Sequence, residues 1–311
     1  MFVNITYNMA IISVIDGGGG FFSIFFFVLN HFLYSKKIKE NFYIESSEWI
    51  FKYNENFGDY FLNKYEYNEK YSHEKITYAQ HGSVFGDFTL DEYREAIKEL
   101  YVYNKKIINI INAKRTELHL TDKKYDSIFV RRGDKLISES VLINTKTYVD
   151  LLLKKNPKCN TIFVQTDDYD VYLDVCRIVK GLNIRVLTLC RKDDRGMIIF
   201  DKYKRKIKTR LRNNNSEDEY FNYNKMMQQS IETYNKEQMY DHVVTMITGI
   251  DIVINSNLCV LDYQSGVSRF IKLAHNDFNN VISVENCHEL ELHGKYRCPA
   301  YTFEKIKILN N

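Results

Sequence analysis

The chain has 311 residues, 45% of them hydrophobic and 27% charged, which suits a folded protein with one large core or two ordinary ones and excludes a mostly disordered polymer. Forty-three basic residues against 40 acidic ones leave a formal charge of +3, too small for nucleic acid to be the main partner. Six cysteines (Cys159, Cys176, Cys190, Cys259, Cys287 and Cys298) form no C-x-x-C pair. Their spacing argues against a zinc site and for reduced thiols in a cytoplasmic protein.

Ala10 to Val14 is a continuous apolar run of the kind that forms a buried strand. Asp16 and Gly17 to Gly20 interrupt it, and Phe21 to Ser35 resumes as a helix ending in Lys36, Lys37 and Lys39. The apolar part, Phe21 to Leu33, is too short to span about 30 Å of hydrocarbon and contains Asn30 and His31, so a buried helix is expected and no membrane span. In this strand–loop–helix unit Gly18 and Gly19 are candidate ligand contacts, because a loop without side chains lets a phosphate or sugar approach the backbone. A flexible turn fits the same glycines.

From Asn41 to Asp91 the chain is aromatic and polar, including Trp49, Phe57, Tyr60 and Phe61, and reads as irregular structure with short helices. Asp91 to Leu118 reads as one helix, capped by Thr89 or Asp91, with Tyr93, Ala96, Ile97, Leu100, Tyr101, Ile107, Ile108 and Ile111 recurring at helical spacings.

After Ser127 strands and helices alternate. The patterns predict strands at Ser127 to Val130, Thr161 to Gln165, Ile184 to Leu189 and Ile250 to Asn255, and helices at Thr145 to Lys155, Asp168 to Lys180, Gln238 to Thr248 and Ser265 to His275. Such alternation argues for βαβ units around a parallel sheet, an α/β Rossmann-like half. Lys202 to Arg212 carries seven basic residues and reads as a solvated insertion, with a lid or acceptor-binding flap as its functional alternative.

The densest chemistry follows the strand at Ser127: Arg131, Arg132, Gly133, Asp134 and Lys135 come directly after its apolar run. Charges past the C-terminal end of a strand point into the crevice where open α/β sheets bind ligands. Alternation along the strand lets one guanidinium reach a phosphate while the other pairs with a carboxylate. Arg132-Gly133-Asp134 is also the adhesion tripeptide, but it follows a buried strand rather than crowning a loop. Asp168-Tyr169-Asp170 has the D-x-D form of a metal site, although Asp167 and Asp168 suit a helix cap and ligand contacts better, and no metal is expected. Ser265 at a helix start, with Arg269 one turn on, reads either as a phosphate contact or as a simple cap.

Val130-Arg131-Arg132-Gly133-Asp134-Lys135 with Glu139 four residues later resembles the H-V-R-R-x-D-K element, followed by glutamate, of α-1,6-fucosyltransferases and their relatives. Thr166-Asp167-Asp168 is similar to the family's T-D-D, and Tyr263 to Arg269 to its late serine-containing helix start. Phe129 stands where the family has the histidine that helps hold the nucleotide, and Asp241 lies near, but out of register with, the family's guanine-contacting aspartate. The resemblance implies a GT-B-like architecture, two Rossmann-like domains with parallel sheets facing across a cleft: residues 1–121 on the acceptor side, 122–288 binding the nucleotide sugar, and 289–311 packing back on the first domain. It implies metal-independent, inverting transfer of fucose from GDP-fucose to a glycan hydroxyl, with no cofactor beyond the donor. Glu139 would be the base and Arg132 the catalytic cation, with Arg131, Asp134, Lys135, Asp167, Asp168, Ser265 and Arg269 around the donor. The alternatives are a non-catalytic nucleotide-sugar or phosphoglycan binding protein of the same fold, or a basic nucleic-acid-binding protein using Lys202 to Arg212.

Overall fold

The structure, a computed structural model, describes residues 10–15, 20–67, 74–76, 88–121, 124–134, 136, 142–198 and 230–284. Gly18, Gly19, Lys135, Glu139, the basic run 202–212 and the segment 289–311 lie outside the described residues. Two compact units divide between Asn109 and Ile110.

In the first unit β1 (Ala10–Val14) is the central strand of a parallel sheet, flanked by β2 (Asn41–Glu45) and β3 (Glu74–Ile76). The helix α1 (Phe21–Ile38) connects β1 to β2, starts at Gly20 and stops at Lys39, whose φ of 61° turns the chain out of the helix. Phe21, Phe22 and Phe25 of α1 bury their rings among Trp49, Phe51, Tyr60, Phe61 and Tyr101, with centroid separations of 5.1 to 6.5 Å in tilted and edge-on pairs. The aromatic stretch expected to be irregular thus contains the strand β2, whose alternating Phe42 and Ile44 are buried. No described helix is long and apolar enough to cross a membrane.

The single helix expected over Asp91 to Leu118 is two, α2 (Leu90–Leu100) and α3 (Lys105–Glu117). Thr89 starts α2 through a capping box with Glu92. Asn104 starts α3: its Oδ1 accepts from Ile107 N at 2.9 Å, and its Nδ2 donates to the carbonyls of Gly58 and Asp59. Those tertiary bonds, with the Phe61–Tyr103 bridge, keep the chain out of helix between Leu100 and Lys105 and override the continuous periodicity.

The second unit is a five-stranded parallel sheet of β4 (Asp126–Val130), β5 (Thr161–Thr166), β6 (Arg185–Thr188), β7 (Cys259–Leu261) and β8 (Val281–Ser283), in the order β6-β5-β4-β7-β8. This is the doubly wound pattern in which the strand order reverses beside the first strand. Helices α4 (Thr145–Lys155) and α5 (Tyr169–Ile178) cover one face, where Ile128, Val130, Tyr148, Val149, Leu152, Ile162, Val164, Val171, Val175 and Val260 form one buried cluster. Full burial of a side chain of this size stabilises the fold by roughly 1.5–3 kcal/mol relative to exposure. The alternate residues Phe129, Phe163 and Gln165 face the other way, toward α6 (Lys236–Ile254), which packs on β4 and β5.

The strand expected at Ile250 to Asn255 is the last turns of α6. The run Ile250-Asp251-Ile252-Val253-Ile254 is β-branched and locally favours a strand. An Asn235–Gln238 capping box starts the helix upstream, and Val243, Ile247, Ile250 and Val253 continue a buried stripe at spacings of four, three and three. Packing of that stripe outweighs a propensity difference of tenths of a kcal/mol per residue. The strand that follows is β7, and the final helix, α7 (Gly266–Ala274), starts at Ser265 as expected.

Candidate functional site

A cavity opens at the C-terminal ends of β4, β5 and β6, lined among others by Phe129, Arg131, Gln165, Asp167, Arg191 and His242. Its β4 edge adjoins the point between β4 and β7 where the strand order reverses, and there Val267 from the first turn of α7 borders it.

Asp167 organises its floor. The carboxylate accepts from Arg131 Nη1 at 2.7 Å, from the Arg132 amide at 2.7 Å and from the Met197 amide at 3.0 Å. Arg131 also donates to Asp134 Oδ1 at 3.0 Å, and the Asp134 amide donates to the Met197 carbonyl at 3.1 Å. Gly133 makes this possible. Its φ is +65°, and a Cβ there would sit 2.1 Å from the Met197 oxygen.

Successive residues leave the strand on opposite faces, so the two arginines part. Arg131 lines the cavity. Arg132 is 5% exposed, donates to the Ile143 carbonyl at 2.9 Å, and is not among the cavity-lining residues. Its charge draws down the carboxyls of Asp168 and Asp262, both of which burial raises. Asp262 is also held by Tyr148 Oη at 2.9 Å and the Gln264 amide at 3.0 Å. Ser265 is buried and caps α7, accepting from the Ser268 amide at 3.1 Å, and Arg269 Nε donates back to the Ser265 carbonyl at 3.3 Å.

Asp168 caps α5 through the Asp170 amide at 3.0 Å, and Asp170 faces Arg195 at 3.8 Å. Burial lifts the Asp168 carboxyl from an ordinary 3.8 to about 6; the Asp170 amide and Arg132 oppose the rise, while Asp167 and Asp170 add to it. The folded state therefore holds the extra proton between about pH 4 and 6, so this group's stabilising contribution is full below pH 4 and lost as pH rises through 6. Asp168→Asn keeps a cap acceptor and removes that loss. It is expected to be about 1–2 kcal/mol more stable than the parent at pH 8, with the difference closing at pH 4 in urea titrations. A difference independent of pH would refute the assignment.

Sequence patterns missed much of the wall. Arg191, Asp194 and Met197 belong to the loop after β6, where Asp194 accepts from the Arg191 amide at 2.8 Å and its own carbonyl accepts from the Tyr169 amide at 3.0 Å. Cys190 lies beside Asp194, and burial, with the carboxylates of Asp194 and Asp167, pushes its thiol well up. His242, Thr245 and Met246 line the cavity from one face of α6, at spacings of three and four, a pattern visible in the sequence only once the helix is known to pack there.

No protein-family model and no curated protein matches this sequence. Among solved structures, the α-1,6-fucosyltransferase NodZ soaked with GDP-fucose aligns over 86% of this chain and 92% of its own, at a TM-score of 0.53 and 11% identity. Selenomethionine NodZ from Bradyrhizobium aligns over 88% and 97%, at a TM-score of 0.51 and 10% identity. At these identities the likeness is one of fold. The chain has the α/β, GT-B-like fold of the fucosyltransferase NodZ.

Proposed function

We propose that the protein is a glycosyltransferase that moves fucose from GDP-fucose to a glycan hydroxyl, inverting the anomeric centre without a metal, with residues 122–288 holding the donor and 1–121 the acceptor. The observation that carries the reading is the cavity at the C-terminal ends of the strands, which combines a held guanidinium, Arg131, with the start of α7. A helix N-terminus and an arginine are two devices by which proteins bind a diphosphate without a metal.

In the proposed reaction the acceptor oxygen attacks the anomeric carbon while the bond to the β-phosphate oxygen breaks. The diphosphate leaves with the electron pair, stabilised by Arg131 and the α7 dipole. Glu139, the base on sequence resemblance, takes the acceptor proton. Arg132 serves indirectly, its amide bonded to the Asp167 carboxylate that holds Arg131 and its guanidinium to the Ile143 carbonyl. Cys159, Cys176, Cys190 and Cys259 carry no disulfide, in keeping with a cytoplasmic setting for this reading.

The test is a screen of nucleotide sugars by thermal shift and transfer. GDP-fucose is expected to be selected. Glu139→Gln should keep donor binding and lower transfer by about 10²–10⁴-fold, the usual worth of a general base. Transfer unchanged in Glu139→Gln and in Arg131→Ala would overturn the assignment. A second reading, a nucleotide-sugar binding protein without turnover, is favoured by the two carboxylates that balance Arg131. It would show a GDP-induced thermal shift and no transfer to any acceptor.

A further inference from the structure

Part of the cavity lining is not used by the proposed chemistry. Its lining runs from Val267, after β7, past Arg131 on β4 and Asp167 on β5, to Leu189 and Arg191 after β6. Four neighbouring strands span about 14 Å at the usual spacing, so a ligand whose diphosphate rests at the α7 end extends its remaining part toward β6. At that end Leu189 and Arg191 line the cavity, and His242 of α6 approaches them through Tyr234, which hydrogen-bonds Arg191, while Phe129 on β4, Gln165 on β5 and Met246 on α6 line the rest.

His242 is half-buried, and its ring meets Tyr234 edge-on at a centroid distance of 5.8 Å and 71°, which restrains its orientation. Burial first, then the nearby cations Arg131 and Arg191, hold it at about 4, against the opposing pull of Asp167. At neutral pH the imidazole is uncharged, with one N–H donor and one nitrogen acceptor. A neutral ring is a poor anion clamp. It suits a flat, uncharged group that carries both donors and acceptors along its edge, and the surrounding apolar and thioether side chains suit the faces of such a group.

We infer that His242 is a specificity-determining residue that hydrogen-bonds the edge of the donor's nucleobase, while Arg131 and the α7 N-terminus take the diphosphate. This rests on the donor-binding reading of the same cavity. It assigns the β6 end of the cavity to the base and makes base preference, rather than phosphate affinity, the property that His242 controls.

The test measures GDP, ADP, UDP and inorganic pyrophosphate binding by calorimetry to the full chain and to His242→Leu, His242→Gln and Arg131→Ala, with melting curves to confirm folding. The parent is expected to prefer one base by about tenfold or more. His242→Leu should lower affinity for that nucleotide by about ten- to a hundredfold, the worth of a hydrogen bond to a buried edge, and should leave pyrophosphate within about twofold. His242→Gln, which keeps a donor and an acceptor, should recover part of the preference. Arg131→Ala should weaken all four ligands together. A base preference that survives in His242→Leu, an equal loss of pyrophosphate, or a parent that binds every base alike would overturn the role of His242 and leave the donor cavity standing. A parent that binds none of the four ligands would overturn the donor reading, and the role of His242 with it.

Discussion

Asp167→Ala is expected to lower the free energy of unfolding by about 3–5 kcal/mol and, on the proposed function, to abolish diphosphate binding. The carboxylate, 12% exposed, satisfies two backbone amides and one guanidinium at 2.7 to 3.0 Å. Truncation leaves the Arg132 and Met197 amides without their acceptor, each costing about 1–3 kcal/mol, and takes away one of the carboxylates that hold Arg131. Stability and binding fall together because the same oxygen atoms tie the end of β4 to the loop carrying Met197. Asp167→Asn keeps one acceptor oxygen and should lose roughly half as much. Urea denaturation with GDP calorimetry on both variants checks this, and a loss under about 1 kcal/mol in Asp167→Ala would show that the turn is held from elsewhere.

The second large effect is expected at Gly133. Gly133→Ala places a methyl group 2.1 Å from the Met197 oxygen and 2.7 Å from its nitrogen, on backbone at φ +65°. Left-handed backbone alone costs a side chain about 1–2 kcal/mol. The collision adds to this because backbone atoms cannot rotate aside, and displacing Met197 breaks its bond to the Asp134 amide. We expect a total of about 3 kcal/mol or more, with loss of donor binding. Gly181→Ala is the internal control. Gly181 has φ +91° and nothing within 4 Å of a new Cβ, so it should show the backbone cost alone and keep donor affinity. Equal destabilisation by the two substitutions would mean that the Met197 contact gives way easily.

Much of the second unit was legible because its signals are local. The apolar run before Arg131, the capped helix over Thr145–Lys155 and the serine start of α7 each need only a few neighbouring residues to be recognised. Failures came where distant partners decide. Asn104 breaks a periodic helix because its side chain reaches the Gly58 and Asp59 carbonyls, and the β-branched end of α6 stays helical because one stripe packs on the sheet. At the site, Arg131, Asp167 and Ser265 could be found because each follows a recognisable strand or opens a helix. Gln165 and His242 carry no such mark. Gln165 lines the cavity with its amide against Gly249 of α6, where a Cβ would lie 1.8 Å from Oε1, a fit that exists only once helix and sheet meet.

The sequence by itself determined that a run of charge stands at the end of a buried strand in a parallel α/β unit, because strand, turn and cap preferences are short-range. It did not determine which arginine serves the cavity. Arg131 and Arg132 are chemically identical neighbours, and only the tertiary structure separates them. Asp134 and Asp167 hold one guanidinium at the cavity lining, while the Ile143 carbonyl and the buried carboxylates of Asp168 and Asp262 draw the other inward. The physical reason is that a buried charge goes where its partners are, and those partners come from segments up to 130 residues away along the chain.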